Sequence, residues 1–233
     1  MSTIAVNLQA VEATIQAACD AAKRPRSGVE LLAVSKTFPF EAVLEAVDAG
    51  QRAFGENYLQ EGVDKIAAVA KARPDLALDW HFIGPIQSNK TRPIATHFAW
   101  VHTVERLKIA QRLYEQRPPD LPPLNVCLQV NISGEATKSG VHPDELPALA
   151  RAVAAMPNLR LRGLMAIPEP EDDEDKQRIP FARLRALARE IVRDGIFVDT
   201  LSMGMSADLR AAILEGASIV RVGSAIFGAR HYE

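Results

Sequence analysis

Glycine-rich nucleotide loops are missing from this chain. No GxGxxG, Walker A or GxSxG sequence appears, and the loop after the first apolar run, SKTFPF, contains no glycine at all. The usual fingerprints of dinucleotide, P-loop and α/β-hydrolase sites are therefore excluded. Cysteine is scarce. Cys19 and Cys127 are far apart and form no CxxC or CxxH spacing, which fits a reducing, cytoplasmic setting better than an oxidising one. His97 and His102 show no ligand spacing with cysteines or carboxylates, so no metal site is expected. No basic region followed by an apolar stretch and a cleavage site opens the chain. Nothing approaches the roughly 18 uninterrupted apolar residues of a membrane span. An excess of one charge is also lacking. Lys and Arg number 27 against 29 Asp and Glu, a net charge of −2, which gives no field to gather nucleic acid or an anionic membrane.

What is present suits one large core. A chain of 233 residues, 48% hydrophobic and 24% charged, matches the size at which eight-fold α/β barrels are built and needs no disulfide or metal to fold. Ile4, Leu8, Val11, Ile15 and Ala18 recur at helical spacing and predict an N-terminal amphipathic helix ending near Arg24-Pro25. Short apolar runs follow: Leu31–Lys36, Arg52–Asn57, Asp79–Gly84, Trp100–Val104, Asn125–Ile132, Leu159–Ile167, Thr200–Met205 and Ser218–Gly223. Between them lie helical patterns, for example Glu41–Ala49, Leu59–Ala72, Glu105–Gln116, Pro143–Ala155, Phe181–Asp194 and Ala207–Glu215. Near-continuous apolar strands alternating with helices indicate a parallel sheet covered by helices. The expectation is an α/β fold, a single (β/α)8 TIM barrel with an extra N-terminal helix, formed by residues 1–233 as one domain. The compositionally odd segment is Glu169–Arg178, EPEDDEDKQR. It reads either as a solvated surface loop or as a flap over the barrel mouth.

In such a barrel, chemistry belongs at the C-terminal ends of the strands. Lys36 ends the first run and Asn57 the second, Ser202 and Ser206 flank the seventh, and Arg221, Gly223 and Ser224 close the eighth. Leu32, Val34 and Lys36 share one strand face. If that face is the barrel interior, desolvation lowers the lysine pKa and yields the neutral amine that attacks an aldehyde. A lysine at a strand end can equally snorkel to solvent. Barrels commonly bind phosphate at the loops after strands seven and eight, beside a short helix N-terminus. Gly223 would admit a phosphate to the backbone, with Ser224 N–H and the Ser206 hydroxyl as donors; alternatively Gly204 and Gly223 only serve tight turns. An inward Arg221 needs an acceptor, either a buried carboxylate or a ligand's ring nitrogen. His81 reads as a hydrogen-bonded core histidine. Lys90, Arg92 and Lys138 read as surface charge or as a small anion-attracting rim.

With Lys36, WHFIGPIQSNK (Trp80–Lys90), Lys138-Ser139-Gly140, SMGMS and RVGSAIFG in view, the sequence resembles the pyridoxal phosphate homeostasis proteins, from about Leu31 to Arg230. The resemblance implies a single barrel like the N-terminal domain of alanine racemase, with pyridoxal 5′-phosphate (PLP) as a Schiff base on Lys36. It places Asn57 of Gly55-Glu56-Asn57 beside the cofactor, Ser202, Ser206, Gly223 and Ser224 at its phosphate, and Arg221 near its pyridine nitrogen. It implies a role in vitamin B6 and amino-acid balance without established turnover, with apo PLP-dependent enzymes as possible recipients; a monomer is favoured. Racemases of this kind also need a second acid–base group facing the lysine. In alanine racemase a tyrosine from a second domain of the partner subunit supplies it. Of Tyr58, Tyr114 and Tyr232 here, only Tyr58 falls near the expected mouth, on the same loop as Asn57. The competing readings are a racemase-like PLP enzyme and an aldolase-like barrel that uses Lys36 on a phosphorylated sugar.

Overall fold

Eight short strands pair in sequence order, each parallel to the next, and the first pairs with the last to close a barrel. The computed structural model describes residues 2–134 and 139–229. The strands are β1 (Glu30–Val34), β2 (Ala53–Glu56), β3 (Asp79–Phe82), β4 (Trp100–Val104), β5 (Leu124–Gln129), β6 (Leu159–Met165), β7 (Thr200–Ser202) and β8 (Ile219–Val222). The helices are α1 (Thr3–Ala21), α2 (Phe40–Asp48), α3 (Leu59–Ala72), α4 (Thr91–His97), α5 (Leu107–Gln116), α6 (Leu146–Ala154), α7 (Glu174–Arg193), α8 (Leu209–Leu214) and α9 (Ser224–Phe227). The expected (β/α)8 barrel with an added N-terminal helix is what the chain forms. Among the described residues, no helix is long and apolar enough to cross a membrane.

Strand alternation sorts the core into two layers. Leu32, Val34, Ala53, Ile83 and Ile219 pack with Trp100 as one cluster inside the barrel. Leu31, Ala33, Phe54, Val220 and Val222 belong to the far larger cluster between barrel and helices. Helix α1 buries Leu8, Val11, Ile15, Ala18 and Cys19. The Asn7 side-chain amide donates to Ile226 O at 2.9 Å, tying α1 to α9.

Three elements differ from expectation. Helix α4 is absent from the sequence reading because its buried face is only Thr91, Ile94 and Ala95, too few positions to show a period. Helix α7 starts at Glu174, before the expected Phe181, and includes Pro180. Half of the acidic segment is therefore a helix start. Asp173 is the N-cap, accepting from Lys176 N–H at 3.1 Å, with Glu174 and Asp175 in the first turn, where negative charge meets the positive end of the helix dipole. Strand β7 stops at Ser202, before the expected Met205. There the chain turns through Gly204 at φ +94°, and a Cβ at that position would lie 2.6 Å from Ala212 Cβ. Gly204 thus serves a turn packed on α8.

Candidate functional site

The loops after β1, β2, β7 and β8 bring the expected residues to one end of the barrel. Lys36 lies two residues beyond β1, half-buried, and in register with the inward Leu32 and Val34. Its two neighbours are held firmly. Ser35 N–H donates to Gly55 O at 3.1 Å and the Ser35 hydroxyl donates to Glu56 Oε1 at 2.6 Å. Thr37, at φ +68°, donates its N–H to Glu61 Oε1 at 2.6 Å. Beyond it, Phe38 stacks on Phe227 of α9 with ring centroids 5.2 Å apart, so the lysine turn leans on the last loop of the barrel.

Asn57 follows β2, and its Oδ1 is buried without a hydrogen-bond partner among the described residues. Its backbone is pressed against Gly84, where a Cβ would come within 2.0 Å of Asn57 O; no other residue fits there. Thr103 hydroxyl donates to Gly84 O at 2.6 Å, linking the loops after β2 and β3 to strand β4. Beside them a cleft of about 520 Å³ is lined by Asn57, Tyr58, Phe82, Lys90 and Arg106 among others. A larger cleft of about 770 Å³ lies against α7 and the start of β7, where Thr200 and Asp199 line it. That is the opposite end of the strands from Lys36. Lys90 and Arg92 are exposed, and Lys138 lies outside the described residues.

On the other side, Gly223 caps α9. A Cβ there would meet Val34 O at 3.2 Å, so the close approach of β1 already accounts for this glycine. The first bond within α9 runs from Ile226 N–H to Gly223 O at 2.9 Å, leaving the N–H groups of Ser224 and Ala225 ahead of it. Ser206 is exposed on the neighbouring loop, which Asp208 fixes by accepting from Met205 N–H at 2.6 Å. Ser206, Gly223 and Ser224 thus face the mouth side of the barrel.

Ser202 is placed differently. It is fully buried, and its Oγ accepts from Arg221 Nη1 at 2.8 Å and lies 2.7 Å from His102 Nδ1. His102 Nε2 in turn lies 2.9 Å from His81 Nδ1. A polar column thus crosses the barrel interior from β8 to β3. Because Ser202 already accepts from arginine, its hydrogen is best spent on His102 Nδ1. His102 then donates from Nε2 to His81, and the His81 proton rests on Nε2, which has no partner among the described residues. Burial pushes His81 down to about 3. Burial, then the proximity of His81 and Arg221, holds His102 well below the usual imidazole range. Both rings are neutral at physiological pH. Arg221 is 4% exposed and also donates to Ala166 O at 3.1 Å. Burial lowers it to about 10, still a cation at neutral pH. Among the described residues its guanidinium hydrogen-bonds no carboxylate, although Asp208 lies near enough to act on its charge.

The sequence reading missed the role of His102 and the group behind Lys36. Lys65 is 5% exposed and donates to Glu56 Oε1, Glu61 Oε1 and Ser35 O at 2.6, 2.9 and 2.8 Å. Burial pushes the Glu56 carboxyl up against the pull of Lys65 and Ser35. The signal was present: Gly62, Lys65 and Val69 form the buried stripe of α3, and a lysine on an apolar stripe needs partners. Among the described residues, no group of three His, Cys, Asp or Glu side chains is arranged to hold a metal ion.

Residues 6–231 match the family described as alanine racemase, N-terminal domain. The chain is 64% identical over 232 residues to a pyridoxal phosphate homeostasis protein of Pseudomonas aeruginosa, covering 100% of this chain and 98% of that one. It is 54% identical over 233 residues to the Escherichia coli protein of the same name, covering 100% and 99%. Among solved structures, it superposes on PipY of Synechococcus elongatus with PLP bound at a TM-score of 0.83 and 34% identity, covering 97% of this chain and 100% of that one. Alanine racemase of Corynebacterium glutamicum gives a TM-score of 0.68 at 19% identity, covering 98% of this chain and 60% of that one, a likeness of fold alone.

Proposed function

Since the chain belongs to the pyridoxal phosphate homeostasis protein family, we propose that it binds PLP covalently through Lys36 and serves vitamin B6 and amino-acid balance without turning amino acids over. The observation that carries the reading is a half-buried lysine at the mouth of a racemase-like barrel in a chain that superposes on a PLP-bound structure over its whole length. When bound, the cofactor supplies an aldehyde carbon with which a neutral amine condenses, one C=N bond forming as one water leaves, together with a phosphate and a pyridine nitrogen.

The side chains fit such a group. Asn57 offers a buried oxygen with no partner among the described residues, and Arg221 a buried cation that hydrogen-bonds no carboxylate there. The leading N–H groups of α9, with the Ser206 and Ser224 hydroxyls, would hold the phosphate beside Gly223. Ser202 we assign to holding Arg221, because its oxygen is already committed to Arg221 and His102. As a donor that stays protonated, Arg221 favours an unprotonated ring nitrogen and so a weak electron sink. The working setting is the cytoplasm, with the whole chain as one domain and a monomer as the unit. Apo PLP-dependent enzymes are the recipients.

The test is chemical. Purified protein treated with borohydride in the presence of PLP, then digested and weighed, is expected to carry the pyridoxyl group on Lys36. A Lys36→Ala variant should lose it and stay folded, because a lysine at a strand end contributes little to the core. Labelling of Lys90 or Lys138 instead overturns the assignment.

A further inference from the structure

We propose that Glu56, Glu61 and Lys65 are positioning residues for Lys36, a clamp that acts on the backbone either side of it and sets the direction in which its amine enters the barrel. The inference rests on the reading of Lys36 as the covalent anchor. Lys36 lies beyond the end of β1, where ladder bonds no longer fix the chain. In their place, Ser35 is bound through all three of its polar groups. Its N–H bonds Gly55 O, its hydroxyl bonds Glu56 and its carbonyl accepts from Lys65 and from Phe38 N–H. Thr37 is bound through its N–H to Glu61. Lys65 joins these contacts by spending its three ammonium hydrogens on Ser35, Glu56 and Glu61.

The clamp lies outside the barrel wall. Glu56 follows Phe54 on the outward parity of β2, and Lys65 is on the buried stripe of α3. Neither is among the groups that meet at the mouth, and their side-chain bonds run to Ser35, to Glu61 and to one another. Stability does not account for the arrangement. Burying an ion pair costs desolvation, and apolar side chains of similar size generally pack as well or better. The fold also makes room for it, since a Cβ on Gly62 would approach Glu56 Cβ at 3.2 Å and Phe98 at 3.1 Å. What the network gives is direction. Thr37 is β-branched and held at φ +68°, a conformation that persists only where the surroundings over-determine it. Glu61 supplies the acceptor that does so. If Thr37 relaxes to an ordinary φ, the chain direction on both sides of Lys36 changes with it.

The experiment compares two ligands on the full chain. PLP retention is read from the borohydride-reducible absorbance. Pyridoxine 5′-phosphate has an alcohol in place of the aldehyde and reports ring and phosphate recognition alone. Glu61→Ala should weaken PLP retention by about tenfold or more while the affinity for pyridoxine 5′-phosphate moves by less than about twofold, the pattern of a misdirected reacting group. Glu61→Gln, whose amide oxygen still accepts from Thr37 N–H, should restore retention. The double variant Glu56→Leu, Lys65→Met removes the buried charges together, which keeps the protein folded, and should repeat the Glu61→Ala pattern. Unchanged PLP retention in both Glu61→Ala and the double variant overturns the clamp, as does equal loss of the two ligands. Labelling of a lysine other than Lys36 in the unsubstituted protein is a separate result, which removes the anchor reading and the clamp with it.

Discussion

His81 and His102 are the residues through which pH should reach the fold. Each is neutral when buried and ordinary when the chain is unfolded, so each has a depressed pKa in the native state. Their contribution is complete above the unfolded value and is lost as pH falls, because the unfolded chain takes up protons that the folded one refuses. By pH 5 the loss is about 2 kcal/mol for His81 and continues until the pH nears about 3, with His102 adding to it in the same direction. Glu56 works in the opposite sense: its raised pKa lets the fold bind a proton first, adding stability as pH falls. Burial raises Glu30 and Asp208 in the same direction, but unfolded histidines take up protons at higher pH than carboxyls ordinarily do, so between pH 7 and pH 5 the histidines dominate and leave a net loss. Urea midpoints should therefore drop between about pH 7 and pH 5, and a flat profile would show that the two rings are hydrated or charged in the folded chain. The residue scale is also where Ser202 and Ser206 part. They stand four positions apart in the stretch SMGMS, yet one faces inward at β7 with its hydroxyl committed to Arg221 and His102, and the other is exposed at the mouth. Composition alone cannot separate them.

Among the elements, α7 carries the segment that is ambiguous as sequence. Asp173 caps the helix, Gln177 Nε2 donates to Glu171 O at 2.7 Å, and Arg178 pairs with Glu215 at 2.7 Å. The second half of the acidic run is thus anchored, and its charge is explained by the helix start it forms. Deleting Glu171–Asp175 would remove that start, so the deletion is expected to cost stability. A milder test is Asp173→Ala, which should destabilise by about 1 kcal/mol through the lost cap. Asp172→Ala, at an exposed neighbour, should stay within about 0.5 kcal/mol. Equal effects of the two in denaturant titrations would mean that Asp173 contributes no cap.

For the whole molecule, the question is whether a racemase-like barrel performs turnover. Tyr58, the tyrosine nearest the mouth in sequence, is 54% exposed and lies directly after Asn57, on the β2 side of the cleft. That placement suits a rim residue better than an acid held opposite Lys36. Purified protein incubated with PLP and L-alanine in deuterated water should show α-deuteration no faster than PLP alone. Rapid exchange that Lys36→Ala abolishes would overturn the non-catalytic reading and make the protein an enzyme.

Periodicity alone determined the barrel. Eight apolar runs alternating with helical patterns have few ways to bury both faces of a parallel sheet, and strand alternation places Lys36 in register with Leu32 and Val34. Site positions at strand ends were legible for the same reason, since loops after strands are where a closed parallel barrel exposes polar groups. What only the tertiary structure decided concerns side chains that meet across the barrel or behind it. His102 and Ser202 are 100 residues apart, and Lys65 reaches Ser35 across 30. Nothing local marks such pairs. A buried polar group must find a partner wherever the fold brings one within about 3 Å; curling the sheet into a barrel puts His102 of β4 beside Ser202 of β7, and pairing β1 with β2 puts Glu61 beside Thr37.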